Sequence, residues 1–229
     1  MGQIYAINGA PLAGPYAEGI TNWWRPSAVR SSLDQVGSLD GTDNGTVAYG
    51  TDGADLGTDN GNYSYMGTFM PSSTSFSHCF WVKPNLTAMN LNTNGGWIAS
   101  HRAGDCDTIN VNTLYYKVTG KWLLGVGNTA LAHKLISTTS GAIHDTWQHV
   151  AVTCSATVLK IYFNGVYEAQ ETALGTRILS NQRFHIGGDS WSPYEEPANK
   201  YHGKWDNFQL YNGKELSATE VSRIYAAGR

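Results

Sequence analysis

The last quarter of the chain restricts its fold most. A short run, Gly203-Lys204-Trp205-Asp206-Asn207-Phe208-Gln209-Leu210-Tyr211-Asn212, passes almost directly into a capped helix. In the run, Asp206, Phe208 and Leu210 fall on one face and Asn207, Gln209 and Tyr211 on the other, the period of two expected of a strand. The period then changes. Ser217 and Glu220 stand three apart as a capping box, and Val221, Ile224 and Tyr225 make a narrow apolar stripe. A sheet strand closed by one short helix suits the edge of a β-sandwich.

Upstream, Thr146–Cys154 and Val158–Tyr167 are alternating, β-branched and aromatic runs joined by a short turn, and Asn164-Gly165 follows the second apolar stretch. Asn-Gly in that setting predicts a hairpin, because both residues tolerate the positive φ of a primed turn. Three strings carry a family likeness: Trp147-x-His149-Val-Ala-Val-Thr153, Leu159-x-Ile-Tyr-x-Asn-Gly-Val166, and the sequence Gly203, Asp206, Leu210-Tyr211, Leu216-Ser217, Glu220-Val221. In this order they resemble the laminin-G-like members of the concanavalin A-like lectin/glucanase superfamily. Ser75–Lys83 (Ser-Phe-Ser-His-Cys-Phe-Trp-Val-Lys) resembles an early strand of that family. Asn22–Thr46, with Trp23-Trp24 and Asn44-Gly45-Thr46, resembles its opening. The resemblance covers residues 20–229 and implies an all-β fold, a concanavalin A-like jelly-roll sandwich of two antiparallel sheets with a short C-terminal helix. It implies no single function, since the superfamily carries enzymes, lectins and adhesion modules on one scaffold.

Composition agrees with one large β domain. The chain has 229 residues, and its 26 glycines suit many turns. With 14% charged residues and a net charge of -3, nothing attracts a phosphate backbone, so no nucleic-acid partner is expected. Three cysteines, Cys79, Cys106 and Cys154, cannot all pair internally; Cys79 and Cys154 read as buried thiols in strands, or as a bridge if they face each other. No stretch approaches a membrane span, and Met1–Gly9 has neither the basic nor the apolar part of a signal peptide. A lectin-like fold without an export signal is expected inside a cell, after trimming, or in a virus particle. Residues 1–20, with Gly9, Pro11, Gly14, Pro15 and Gly19, predict an extended N-terminal arm leading into a sandwich over 21–229.

A Gly/Asp-rich tract follows: Gly41-Thr-Asp-Asn-Gly45, Gly50-Thr-Asp-Gly53 and Gly57-Thr-Asp-Asn-Gly61. Each cluster is a turn signal, and no register completes an EF-hand loop. The resemblance adds a further expectation, one structural Ca2+ on the convex side. It implies Asp206 as a ligand, with an early partner in Asp40–Asp43, taken as Asp43; the alternative for Asp206 is a carboxylate accepting backbone hydrogen bonds at the strand start.

Catalysis finds little support. The glycosidases of the superfamily carry Glu-x-Asp-x-x-Glu on one strand, and that string is absent. Glu168 with Glu171, and Glu195 with Glu196, have offsets that put the two groups on opposite strand faces. His149 with Tyr162 could serve a lyase, but His149 reads as a packing residue. The seven histidines are scattered without metal-binding spacing, and no Gly-x-Ser-x-Gly elbow occurs. The chain is therefore expected not to be an enzyme.

Binding remains. The segment Asp189–Gly203 carries Trp191, Tyr194, Asn199 and Tyr201, and His101–Thr113 carries Arg102 and Asp105. Aromatic rings that stack on sugar C–H faces, beside amides and charges that hold hydroxyls, make these the expected glycan or partner contacts. Three roles fit. The first is a bacteriophage virion structural protein (capsid decoration, fibre or tail), attached to capsid or another virion protein through the arm and forming a homo-oligomer or part of an assembly, with surface polysaccharide as a further partner. The others are a free-standing bacterial carbohydrate-binding or adhesion module, extracellular or at the cell surface, and a divergent glycan hydrolase or lyase.

Overall fold

The computed structural model describes residues 18–26, 33–58, 62–69, 74–92, 95–102, 109–127, 133–172, 174–176, 182–188 and 200–229. Among them the strands are β1 (Asn22–Trp24), β2 (Thr42–Asn44), β3 (Ala48–Gly50), β4 (Gly53–Asp55), β5 (Tyr63–Phe69), β6 (Phe76–Pro84), β7 (Gly95–Arg102), β8 (Ile109–Tyr116), β9 (Lys121–Gly127), β10 (His133–Gly141), β11 (Gln148–Cys154), β12 (Val158–Phe163), β13 (Val166–Thr172), β14 (Gln182–Ile186) and β15 (Gly203–Asn212). A short helix α1 (Leu86–Met89) follows β6, and α2 (Ala218–Ala227) closes the chain. No helix among the described residues is long and apolar enough to cross a membrane.

The strands form two antiparallel sheets. One has eight strands in the order β13-β12-β11-β6-β15-β4-β3, with β1 also paired to β15; the other has seven, β10-β9-β8-β7-β14-β5-β2. Alternating inward residues from both sheets fill the space between them, as the period of two requires. Phe80 and Phe208 stack there at 5.0 Å with Phe184 edge-on to Phe208 at 5.5 Å, beside Trp24, Trp122 and Trp205. The expected core residues Val150, Val152, Ile161, Phe163, Phe208 and Leu210 lie in this layer. Trp81 does not: it is half-buried on the outer face of its sheet, stacked on Tyr225 of α2 at 5.6 Å.

The turns and caps form as their residues dictate. Asn164 (φ 48) and Gly165 (φ 77) make the two-residue turn between β12 and β13. Ser217 caps α2 by accepting from the Glu220 N–H while the Glu220 carboxylate accepts from the Ser217 N–H. Beneath α2 a second apolar cluster holds Ile20, Trp23, Cys79, Ala151, Tyr162, Tyr211, Leu216, Val221 and Ile224 on the outer face of the eight-stranded sheet. Ile20 and Thr21, whose hydroxyl donates to the Leu210 carbonyl at 2.9 Å, thus already belong to the sandwich. Of the expected arm, residues 1–17 lie outside the described residues.

Strand β15 breaks its own alternation. Asn207 has φ 50, and the pairing with β6 slips between Asp206 and Gln209. Such a bulge adds one residue and inverts the facing of what precedes it. Trp205 therefore joins Phe208 and Leu210 in the core, and Asp206, paired with Trp81, turns outward. This corrects the expectation that Asp206 shares a face with Phe208 and Leu210.

Cys79 and Cys154 are free thiols, which removes the bridge alternative: Cys79 sits under α2 and Cys154 in the inter-sheet core. Glu168 and Glu171 are engaged at the seam where β13 of one sheet meets β10 of the other. Glu168 accepts from the N–H groups of Thr139 (2.8 Å) and Ser140 (3.0 Å), and Glu171 lies 3.6 Å from Lys134.

Candidate functional site

The outer face of the seven-stranded sheet is built differently from that of its neighbour. On β14, Phe184 and Ile186 point into the core, so Arg183 and His185 point out. On β5, the register with β14 slips between Tyr65 and Thr68, where Gly67 supplies φ 94. That slip keeps Tyr65 and Thr68 on one face, their hydroxyls 2.7 Å apart. On β2, Thr42 stands opposite Tyr65 and Asn44 opposite Tyr63, both exposed. Thr42, Asp43, Asn44, Tyr63, Tyr65, Arg183 and His185 line a cleft of ≈ 290 Å³.

Its wall is preorganised by stacked rings. Tyr63 and His185 stack with centroids 4.8 Å apart, and Tyr65 meets His185 edge-on at 5.4 Å. The buried Lys200 sets its ammonium 3.9 Å from the centre of the Tyr63 ring, a cation–π contact. Tyr63 is 6% exposed and His185 2%, so Tyr65, half-buried, is the ring the cleft leaves accessible. Asp43 turns toward the opposite sheet. Its two oxygens accept from the Tyr49 hydroxyl at 2.7 and 2.8 Å, and one also accepts from Ser64 at 2.7 Å. Arg183 is exposed at the rim, and its side chain makes no ion pair or hydrogen bond among the described residues.

The residues expected at a binding surface fare differently. Trp191, Tyr194, Asn199 and Asp105 lie outside the described residues. Arg102 ends β7, its backbone paired with Ile109. Tyr201 is corrected: it is 1% exposed, donates its hydroxyl to the Lys204 carbonyl at 2.9 Å, and tilts toward Trp122 at 6.5 Å. Burial pushes its phenol well above the usual range. The chain has re-entered the sandwich by Lys200, which bridges to Trp97, so a ring one residue later is core rather than loop.

The two expected metal ligands are not brought together. Asp43 lies on β2 of the seven-stranded sheet and Asp206 on β15 of the other. Asp206 is 6% exposed, and burial raises its carboxyl above the ordinary value against the opposing pull of Arg229, whose guanidinium is 3.8 Å away. Its Oδ1 accepts no hydrogen bond. Beside it, Asp52 accepts from Lys204 (2.9 Å), Arg229 (3.1 Å) and Trp147 (3.2 Å); the Lys204 bond leads the causes that hold it at about 2. Arg229 also lies 4.0 Å over the Trp147 ring. Among the described residues no three His, Cys, Asp or Glu side chains are grouped to hold a metal ion. The early loop is organised by Asp34, which the sequence did not single out. Its buried carboxylate accepts from the N–H groups of Trp23 (2.9 Å), Val36 (3.1 Å), Gly37 (3.0 Å) and Leu39 (3.2 Å) and from the Asn22 amide (2.6 Å).

His149 is a packing residue. It is fully buried between Trp81 (5.3 Å) and Tyr225 (5.8 Å), neither ring nitrogen has a hydrogen-bond partner, and burial lowers its pKa to about 3.

With this geometry in view, the family follows. Residues 50–222 match a laminin-G-type family model described as the concanavalin A-like lectin/glucanases superfamily. The chain belongs to this superfamily. No curated protein matches its sequence. Among solved structures it is similar to domain 4 of AbnA, a GH43 extracellular arabinanase from Geobacillus stearothermophilus, solved in complex with arabinotriose; identity is 21%, TM-score 0.65, covering 90% of this chain and 98% of that one. It is also similar to the botulinum neurotoxin serotype D ligand-binding domain in complex with N-acetylneuraminic acid, at 13% identity and TM-score 0.70, with 92% of this chain covering 51% of that one. A heptameric SAP-like pentraxin from Limulus polyphemus matches at 18% identity and TM-score 0.54, over 89% of this chain and 81% of its own. At these identities the likeness shows the fold.

Sequence reasoning passed over Thr42, Asn44, Tyr63, Tyr65, Arg183 and His185. A signal existed, since Tyr63-Ser64-Tyr65-Met66 and Arg183-Phe184-His185-Ile186 both alternate like half-exposed strands. Nothing local says that these two strands are neighbours.

Proposed function

We propose that this member of the superfamily is a non-catalytic glycan-binding module whose site is the cleft on the outer face of the seven-stranded sheet. The observation that carries the reading is Tyr65, an accessible ring fixed by His185 and flanked by Thr42, Asn44 and Arg183. Sugars are held by stacking their apolar C–H faces on such a ring while polar side chains take the hydroxyls. Two domains of the same fold, from the arabinanase and the toxin, were solved with arabinotriose and N-acetylneuraminic acid, which supports a sugar as the ligand class. The arabinanase is an extracellular enzyme, in line with an extracellular or surface setting for this chain.

Titration calorimetry against a panel of neutral and acidic oligosaccharides tests the reading. Wild type should bind at least one class, and Tyr65→Ala should weaken that binding about tenfold or more through lost stacking and burial. Undiminished binding by Tyr65→Ala would move the site away from this cleft. The more specific role, a virion component attached through residues 1–20, rests on the Pro- and Gly-rich arm; its test is fixed-stoichiometry copurification with particles and its loss on deleting the arm.

A further inference from the structure

We infer that the glycan unit held in this cleft carries a carboxylate, and that Arg183 is the side chain that reads it. The inference rests on the cleft being a glycan site, and it concerns which glycan. Arg183 projects outward from β14, opposite Thr68 and two residues from His185, so its guanidinium borders the same surface as the Tyr65 ring. Its side chain has no ion-pair or hydrogen-bond partner among the described residues. Other cations are matched to acids, Lys83 with Asp145, Lys134 with Glu171, Lys160 with Glu215, Lys204 and Arg229 with Asp52, while Arg25, Lys121 and Arg223 share with Arg183 the lack of an ion pair among the described residues; of these, Arg183 is the one that lines the cleft.

The acid that lines the cleft is Asp43, and among the described residues it makes no ion pair with Arg183. Its two oxygens share the one Tyr49 hydroxyl proton from the opposite sheet, and one of them accepts a further bond from Ser64 on the adjacent strand β5. The cleft therefore offers a ring and an unmatched guanidinium on one wall, with neutral hydroxyl and amide groups from Thr42 and Asn44 across from them. A guanidinium presents a planar fork of N–H donors that fits the two oxygens of a carboxylate, and such charge-assisted bonds are about twice as strong as neutral ones. A neutral sugar would leave that fork to water. A sugar acid stacked on Tyr65 carries its exocyclic carboxylate to the side of the ring, where the next strand, about 4.8 Å away, presents Arg183. The size of the cleft, ≈ 290 Å³, suits a short segment of chain at the low end of ligand pockets.

The test uses the full chain and an array of oligosaccharides in matched sets: uronate- and sialate-containing members, the same members with the carboxyl reduced to the alcohol, and sulfated but carboxylate-free members. The expected result is binding to carboxylated members, about tenfold or more weaker for their reduced counterparts, with affinity falling as salt is raised. Arg183→Gln should bring the carboxylated member down to the affinity of its reduced partner and leave the reduced partner unchanged, and Arg183→Lys should restore part of the difference. Equal affinity for carboxylated and reduced members overturns the inference and leaves the glycan reading standing. Preference for the sulfated set overturns the carboxylate. Binding to none of the sets removes the glycan reading and this inference together. Because the Arg183 side chain is exposed, an unchanged melting curve for each variant separates a loss of recognition from a loss of fold.

Discussion

The two sheets of this sandwich treat their outer faces in opposite ways. The eight-stranded sheet is sealed by α2 and β1: Trp23, Tyr162, Tyr211, Val221 and Ile224 make a second core there, and His149 is shut beneath Trp81 and Tyr225. Several of its polar groups are tied to one another. Trp23 Nε1 donates to Asn207 Oδ1, Gln209 donates to the same oxygen at 3.2 Å, and the Tyr211 hydroxyl donates to Gln209 at 2.7 Å. Among the described residues the seven-stranded sheet leaves Arg183, Thr42 and Asn44 exposed and Tyr65 half-buried. A sheet face that is buried adds stability and nothing else; a face that keeps an accessible ring and an unmatched cation gives up that stability and keeps a surface for a ligand. The contrast sets a sealed face against one with room for the proposed ligand.

The sharpest way to break the comparison is to damage the sealed face. Trp23→Ala removes a large buried side chain and the donor to Asn207, and should cost about 3–5 kcal/mol in urea unfolding. A cost under about 1 kcal/mol would mean that α2 and β1 do not form a second core.

His149 gives a smaller effect with a defined sign. Its folded pKa, about 3, lies below the ordinary 6.5, so between those values the unfolded chain binds the proton and the folded chain does not. Stability should therefore fall as pH drops from about 6.5 toward 3, by a few kcal/mol at most. Asp206, whose pKa is raised, acts with the opposite slope just above its ordinary 3.8, where its contribution is lost as pH rises. His149→Phe should flatten the melting curve against pH across 4–6.5, and an unaltered slope would place the titrating group elsewhere.

Ser217→Ala removes the cap of α2 and should cost about 1 kcal/mol, read by chemical denaturation. Smallest of all, Arg183→Gln on the open face should change stability by no more than about 0.5 kcal/mol. A larger loss there would show that the open face is also structural.

The sandwich itself was legible because its information is local. Alternation in Gln148–Cys154 and Val158–Phe163, the Asn164-Gly165 turn and the Ser217/Glu220 capping box each use a few adjacent residues, and each is present as read. The candidate site was not legible. Tyr201 follows a run of loop-like residues but is buried, and its burial depends on the bridge between Lys200 and Trp97, more than a hundred residues apart in sequence. Asp206 was placed on the wrong face because one bulged residue, Asn207, reverses a period-two pattern without leaving a mark in composition.

By itself, then, the sequence determined the all-β class, the hairpin between β12 and β13, the strand-to-helix closure and the superfamily likeness, because propensity, turn chemistry and capping act over neighbouring residues. Tertiary structure decided which strands adjoin. It brought residues 42–44, 63–65 and 183–185 into one surface, set Asp43 and Asp206 on different sheets, and sealed one outer face while leaving the other open. The physical reason is that strand order and register follow from the joint burial of distant apolar faces, a balance that no short window of sequence contains.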